Sequence, residues 1–187
     1  MNQTFIIFDT ETTGLDVRSG DKIIEIAALK VHDGKEVEGG RFEMFVNPER
    51  DIPFEAQQVN NITLDMVKDA PKIQEVLPEF LAFVGDFPLV AHNAEFDVGF
   101  LEEEMFMQNP FARLPTVLCT KKLSRALAPK EKFHNLDTLS YRYNISLPTD
   151  RHRAMADVEL LALVFEKMLE AGNITTFADL CAKAQIR

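Results

Sequence analysis

A mixed α/β sheet flanked by helices is the architecture this sequence predicts, and three observations point to it. Apolar, strand-like runs come first, at residues 4–9, 22–32 and 36–46. Short apolar strands then alternate with stretches of helical periodicity, and the chain closes on helices. Between the second and third runs lies Asp33-Gly34, a strong short hairpin signal. The expectation is a sheet of about five strands whose first three are antiparallel.

Each element has a local reason. TFIIFD, residues 4–9, is a β-branched and aromatic run that reads as a buried strand ending where Thr12, Thr13 and Gly14 interrupt it. IIEIAALKV supplies the second strand, and the turn at Asp33-Gly34 returns the chain as the third. A helical stretch near 73–85 precedes a short apolar strand at 88–91. Phe100, Leu101 and Met105 then fall on one face of a helix over 95–107, followed by a short strand near 116–119. Ala154 to Glu170 is the strongest amphipathic helix, Gly172 stops it, and a last helix covers 175–184.

With 187 residues, 46% of them hydrophobic, the chain can bury a full core and is expected to form one domain over 1–187. FIIF is too short for a signal peptide or membrane span, so a cytoplasmic protein without a membrane partner is expected. Cys119 and Cys181 lack metal-ligand or redox spacing and read as reduced and structural. The net charge of -10 disfavours a broad phosphate-binding face. Lys121, Lys122, Arg125, Lys130 and Lys132 form the noticeable basic stretch; a solvated helix face explains it better than strand guidance. His92 would order a strand end, and His134 precedes a helix that Asn135 could cap.

Five side chains in three separated clusters stand apart from this background. They are Asp9 and Glu11 in FDTETTGL, Asp97 in HNAEFDVGFL, and His152 with Asp157 in HRAMAD. Residues two apart on a strand share a face, so Asp9 and Glu11 point to one side. Asp97 and Asp157 fall in early turns of helices, where an acid is ordinary when it stands alone. Gathering four carboxylates is unfavourable unless cations compensate them, and oxygen ligands suit hard divalent ions such as Mg²⁺ or Mn²⁺.

The three segments together resemble the three motifs of the DEDDh 3′-to-5′ exonucleases, whose fold is ribonuclease H-like, and within them the proofreading epsilon-subunit group of bacterial DNA polymerase III. The resemblance runs over roughly residues 5–169. It implies two-metal phosphodiester hydrolysis: Asp9 bridging two ions, Glu11 and Asp157 completing the shell of the first, and Asp97 holding that site directly or through water. It further implies His152 as the base that deprotonates the attacking water, with a nucleoside 5′-monophosphate released. By the same resemblance, Thr10, Glu11 and Thr12 meet the terminal nucleotide near its 3′ hydroxyl, Leu15 wedges against the last bases, and Glu55 contacts substrate.

Asn60 lies in the segment 52–67 that holds the terminal nucleotide in relatives; where many of these carry histidine and glycine, this chain has Asn60 and Asn61. Phe96 and Phe100 would flank the pocket, although their spacing of four equally fits a buried helical stripe. The implied partner is the 3′ end of single-stranded or frayed DNA, with a polymerase subunit as a further partner. An RNA-trimming exonuclease and a non-catalytic nucleic-acid-binding module are the alternatives.

Overall fold

The computed structural model describes residues 1–149 and 151–186. Among them, five strands form one sheet: β1 (Thr4–Thr12), β2 (Ile23–His32), β3 (Lys35–Phe45), β4 (Leu89–Ala91) and β5 (Val117–Cys119), in the order β3-β2-β1-β4-β5. The first three strands are antiparallel to one another; β4 pairs parallel with β1, and β5 with β4. The helices are α1 (Phe54–Asn60), α2 (Leu64–Val67), α3 (Ile73–Val84), α4 (Glu95–Gln108), α5 (Thr120–Leu127), α6 (Leu136–Arg142), α7 (Ala154–Ala171) and α8 (Phe177–Ala184).

The apolar run TFIIF becomes the central strand because both of its faces are covered. Phe5 and Ile7 enter one core with α6, α7 and α8, whereas Ile6 and Phe8 enter a second core with α3 and α4. Aromatic contacts fix each side: Phe5 meets Phe165 edge-on at 5.3 Å between centroids, and Phe8 lies 6.0 Å from Phe80. Strand alternation then has a chemical consequence. Continued past Phe8, it sends Asp9 and Glu11 to the α7 face and Thr10 to the α4 face.

β1 does not end at Asp9 as its interruption by Thr12, Thr13 and Gly14 suggested. It runs through Thr12, held by antiparallel pairing of Thr10 with Ile26 and Glu11 with Glu25. The register then shifts, since Thr12 pairs with Ile23 and leaves Ile24 as an extra residue on β2. The bulged Ile24 packs with Ile52, Ile62 and Val67, a small cluster that pins α1 and α2 over the end of β1.

Asp33 and Gly34 form the two-residue turn between β2 and β3, with φ of 49° and 75°. Two positive φ values match the right-handed twist of the flanking strands. A side chain at Gly34 would pay the left-handed backbone cost and would also press on the Glu166 carboxylate. Gly34→Ala is therefore expected to destabilise the protein by about 1 kcal/mol in urea titrations; an unchanged midpoint would contradict the strain assigned to this turn.

Candidate active site

The acidic end of the sheet is built by three elements converging on the end of β1. Asp9 and Glu11 project toward α7, which presents Asp157 from its first turn. One carboxylate oxygen from each of these three residues lies within 4.8 Å of the others. Asp97, in the first turn of α4, approaches the same strand from the opposite face. Its Oδ1 accepts hydrogen bonds from the Thr10 amide at 3.1 Å and the Thr10 hydroxyl at 2.7 Å. The fourth acid is thus adjacent to the other three but anchored through β1 rather than through α7.

Crowding and burial push protons onto this group. Burial raises the Asp9 carboxyl well above its ordinary value, and the charges of Asp97, Glu11 and Asp157 raise it further. Glu11 is pushed up to about 8, first by burial and then by Asp157, Glu25 and Asp97, while a hydrogen bond from Asn60 opposes the shift. Burial takes Asp97 to about 7 against the stabilising hydrogen bonds from Thr10. Asp157 is also raised by burial, opposed chiefly by Arg151. Four oxygen donors that resist ionising together are a donor set suited to hard divalent cations.

His152 stands next to Asp157, solvent-exposed, with a left-handed backbone at φ 67° and its amide 3.5 Å from Asp157 Oδ1. Arginines on either side hold that turn. Arg153 Nη2 and Nε reach Glu25 at 2.6 and 3.2 Å, and its guanidinium stacks 5.0 Å from the Phe45 ring centre. Arg151 donates to Asp157 and, at 2.7 and 2.9 Å, to Asp137 in the first turn of α6. Glu25, 1% exposed, also accepts the Ala154 amide at 3.0 Å, so the strand beside Glu11 caps the helix that carries Asp157.

A cleft of about 480 Å³ opens beside the carboxylates, bounded by Thr10, Glu11, Thr12, Leu15, Glu55 and Asn60, with Val59 and Phe96 on its apolar walls. Leu15 stands 86% exposed at the lip. Asp21 shapes the loop that carries it, accepting from Thr13 Oγ1 and the Asp16 amide.

Two candidates are placed differently from the others. Asn60 is 2% exposed, with its amide nitrogen 3.3 Å from the Thr12 carbonyl and its oxygen accepting from the Ile62 amide, so it braces the cleft wall. Phe100 is 2% exposed and does not border the cleft; it packs in the core behind Phe96, with ring centres 5.1 Å apart. The helical-stripe reading of its spacing is the one that holds. Of the basic stretch, Lys121 is tied to Asn93 and Lys122 to the Gln185 carbonyl. His92 meets Thr120 at the end of β4, and Asn135 caps α6 through the Thr138 amide.

Sequence reasoning did not single out Glu25, Arg151, Arg153 or Asp137. Glu25 had a signal, a lone acid inside the apolar run IIEIAALKV. The arginines had a weaker one, their symmetry about His152. Asp137 had none, because only the packing of α6 brings it near.

Comparison with known proteins gives a consistent result. A family model described as exonuclease matches residues 6–165. The DNA polymerase III PolC-type protein of Staphylococcus saprophyticus is 42% identical over 167 residues, which are 89% of this chain but 11% of that one. The chain therefore spans about a ninth of the length of such relatives. Exonuclease X, solved in complex with 5′ overhanging duplex DNA, is 31% identical, with 91% of this chain and 94% of that one covered and a TM-score of 0.73. The nuclease domain of 3′hExo, a DEDDh family member bound to rAMP, shares the fold at 18% identity, with a TM-score of 0.78 over 91% of this chain and 94% of that one.

The raised carboxyls carry a pH dependence. Glu11 ionises near its ordinary value of 4.5 in the unfolded chain and at about 8 in the folded one. As pH rises between those values the unfolded state sheds its proton first, so stability present below about 4.5 is lost progressively up to about 8. In chelator, the thermal midpoint is expected to fall from pH 5 to pH 8, and less steeply in Asp157→Asn, which removes the charge that raises Glu11 most after burial. Parallel slopes in the two proteins would show that the cluster is not strained.

Proposed function

The chain belongs to the exonuclease family, in its 3′-to-5′ branch, and from that membership we propose that residues 1–187 act as one domain removing nucleotides from the 3′ end of single-stranded or frayed DNA. Family membership brings dependence on divalent metal. The observation that supports the site assignment is the convergence of Asp9, Glu11 and Asp157 oxygens within 4.8 Å, with Asp97 held beside them.

In this reading Asp9, Glu11, Asp97 and Asp157 hold two ions, Mg²⁺ or Mn²⁺. Bound there, such ions supply charge neutralisation at the phosphate and at the departing oxygen. Thr10 fixes Asp97 through its hydroxyl and amide, keeping that carboxylate aimed along the strand end. His152, solvent-exposed next to Asp157, takes the proton from the attacking water. The new bond joins water oxygen to phosphorus, the bond to the 3′ oxygen of the preceding nucleotide breaks, and a nucleoside 5′-monophosphate leaves. Leu15, Val59 and Phe96 offer apolar surface for terminal bases, and Glu55 faces the same cleft. Asn60 contributes by bracing that wall.

DNA is favoured over RNA as substrate through the likeness to a PolC-type polymerase and to exonuclease X, whose solved complex contains DNA. The fit is to proofreading or repair, with a polymerase as partner, in the cytoplasm. No helix among the described residues is long and apolar enough to cross a membrane. With a net charge of -10, the protein suits a short grip on a strand end rather than a long electrostatic track.

Asp9→Ala and Asp157→Ala are each expected to fold and to release no mononucleotides from end-labelled single-stranded DNA with Mg²⁺ or Mn²⁺; undiminished digestion by either would refute the site. His152→Ala should retain metal affinity and lose about 10² to 10⁴ in rate. A collapse of affinity with an unchanged rate would remove its role as base. Rates on single-stranded DNA, a mismatched primer-template and RNA at fixed salt should rank the two DNAs above RNA.

A further inference from the structure

We infer that Arg151 is an internal counter-ion of the acidic cluster, seated on Asp157 in the metal-free protein and released from it when a divalent cation is taken up. This inference rests on the metal-site reading above. The geometry is asymmetric in a way that suits exchange. Nε and Nη2 of Arg151 both donate to Asp137 Oδ1, outside the cluster, at 2.9 and 2.7 Å. Only Nη1 reaches into the cluster, to Asp157 Oδ2.

Asp157 is also one of the three acids whose oxygens converge closely enough to share a cation. A guanidinium nitrogen and a divalent ion repel one another when they compete for one carboxylate, so metal uptake must weaken the Nη1 contact. Asp137 retains the side chain while this happens, which makes the excursion short and reversible. Arg153, on the other side of His152, differs in that the carboxylate it is seen to hold, Glu25, stands outside the converging three. Arg151 therefore lowers metal affinity while offsetting negative charge at Asp157.

Titration of the purified chain with Mn²⁺, read from the electron paramagnetic resonance signal of the free ion, tests this. Arg151→Gln should bind Mn²⁺ at least about tenfold more tightly, since one unit charge a few ångströms from the ion is removed. Its thermal midpoint in chelator should fall, and the gain on adding metal should grow. A folded variant with unchanged or weaker affinity would overturn the inference. Should the variant fail to fold, the wild type decides: the arginine side-chain ¹⁵N resonance of Arg151 should move as Mg²⁺ saturates the site, and a stationary resonance counts against release. If wild type and Asp9→Ala take up Mn²⁺ equally, the metal site itself is wrong and this inference falls with it. If they differ and Arg151→Gln matches wild type, only the role of Arg151 fails.

Discussion

Holding Asp9, Glu11, Asp97 and Asp157 buried together, against desolvation and the repulsion among their charges, is the constraint on which the rest of this structure depends. Like charges and burial work against the ionised cluster, so the scaffold must hold these acids together at a cost to its own stability. It does so by borrowing rigidity from the central strand of the sheet. β1 is packed on both faces, and two cores on opposite sides of the sheet fix the direction of each successive side chain. The acids are distributed between those faces, with α7 completing one side and α4 the other. Cations within the chain share the burden: Arg151 at Asp157, and Arg153 at Glu25 beside Glu11.

The cleft beside the acids depends on a second, smaller device. A single extra residue on β2 breaks the register next to Glu11 and turns Ile24 toward Ile52, Ile62 and Val67. That cluster fastens α1, which walls the cleft that Leu15 also borders, while Asn60 ties the same wall to the Thr12 carbonyl. The apolar surface of that cleft suits the contact with the last bases of a strand proposed above.

Much of this was legible in the sequence, for identifiable reasons. Strand runs, the Asp33-Gly34 turn and the long amphipathic helix are local patterns, and the local pattern decided them. The spacing of Asp9 and Glu11 gave their shared face directly. What escaped was non-local: the continuation of β1 through Thr12 depends on pairing with β2, and the burial of Phe100 depends on which side of α4 meets the sheet. Glu25 and Asp137 belong to the same class, since an acid reveals what it holds only when the distant donor arrives.

Burial of β1 on both faces has a consequence for how the chain finds its register. In a strand apolar on one side only, a slip by one residue exposes the whole hydrophobic set, and the core itself rejects the error. Here Phe5, Ile6, Ile7 and Phe8 are all apolar, so hydrophobicity alone is nearly blind to such a slip. The distinction falls to ring shape within the two cores and to the polar end of the strand. A slipped β1 would thrust Asp9 and Glu11 at α4 and turn the Thr10 hydroxyl away from Asp97, which it now holds. The polar end of the strand thus distinguishes the native register from its one-residue slip where the apolar run does not.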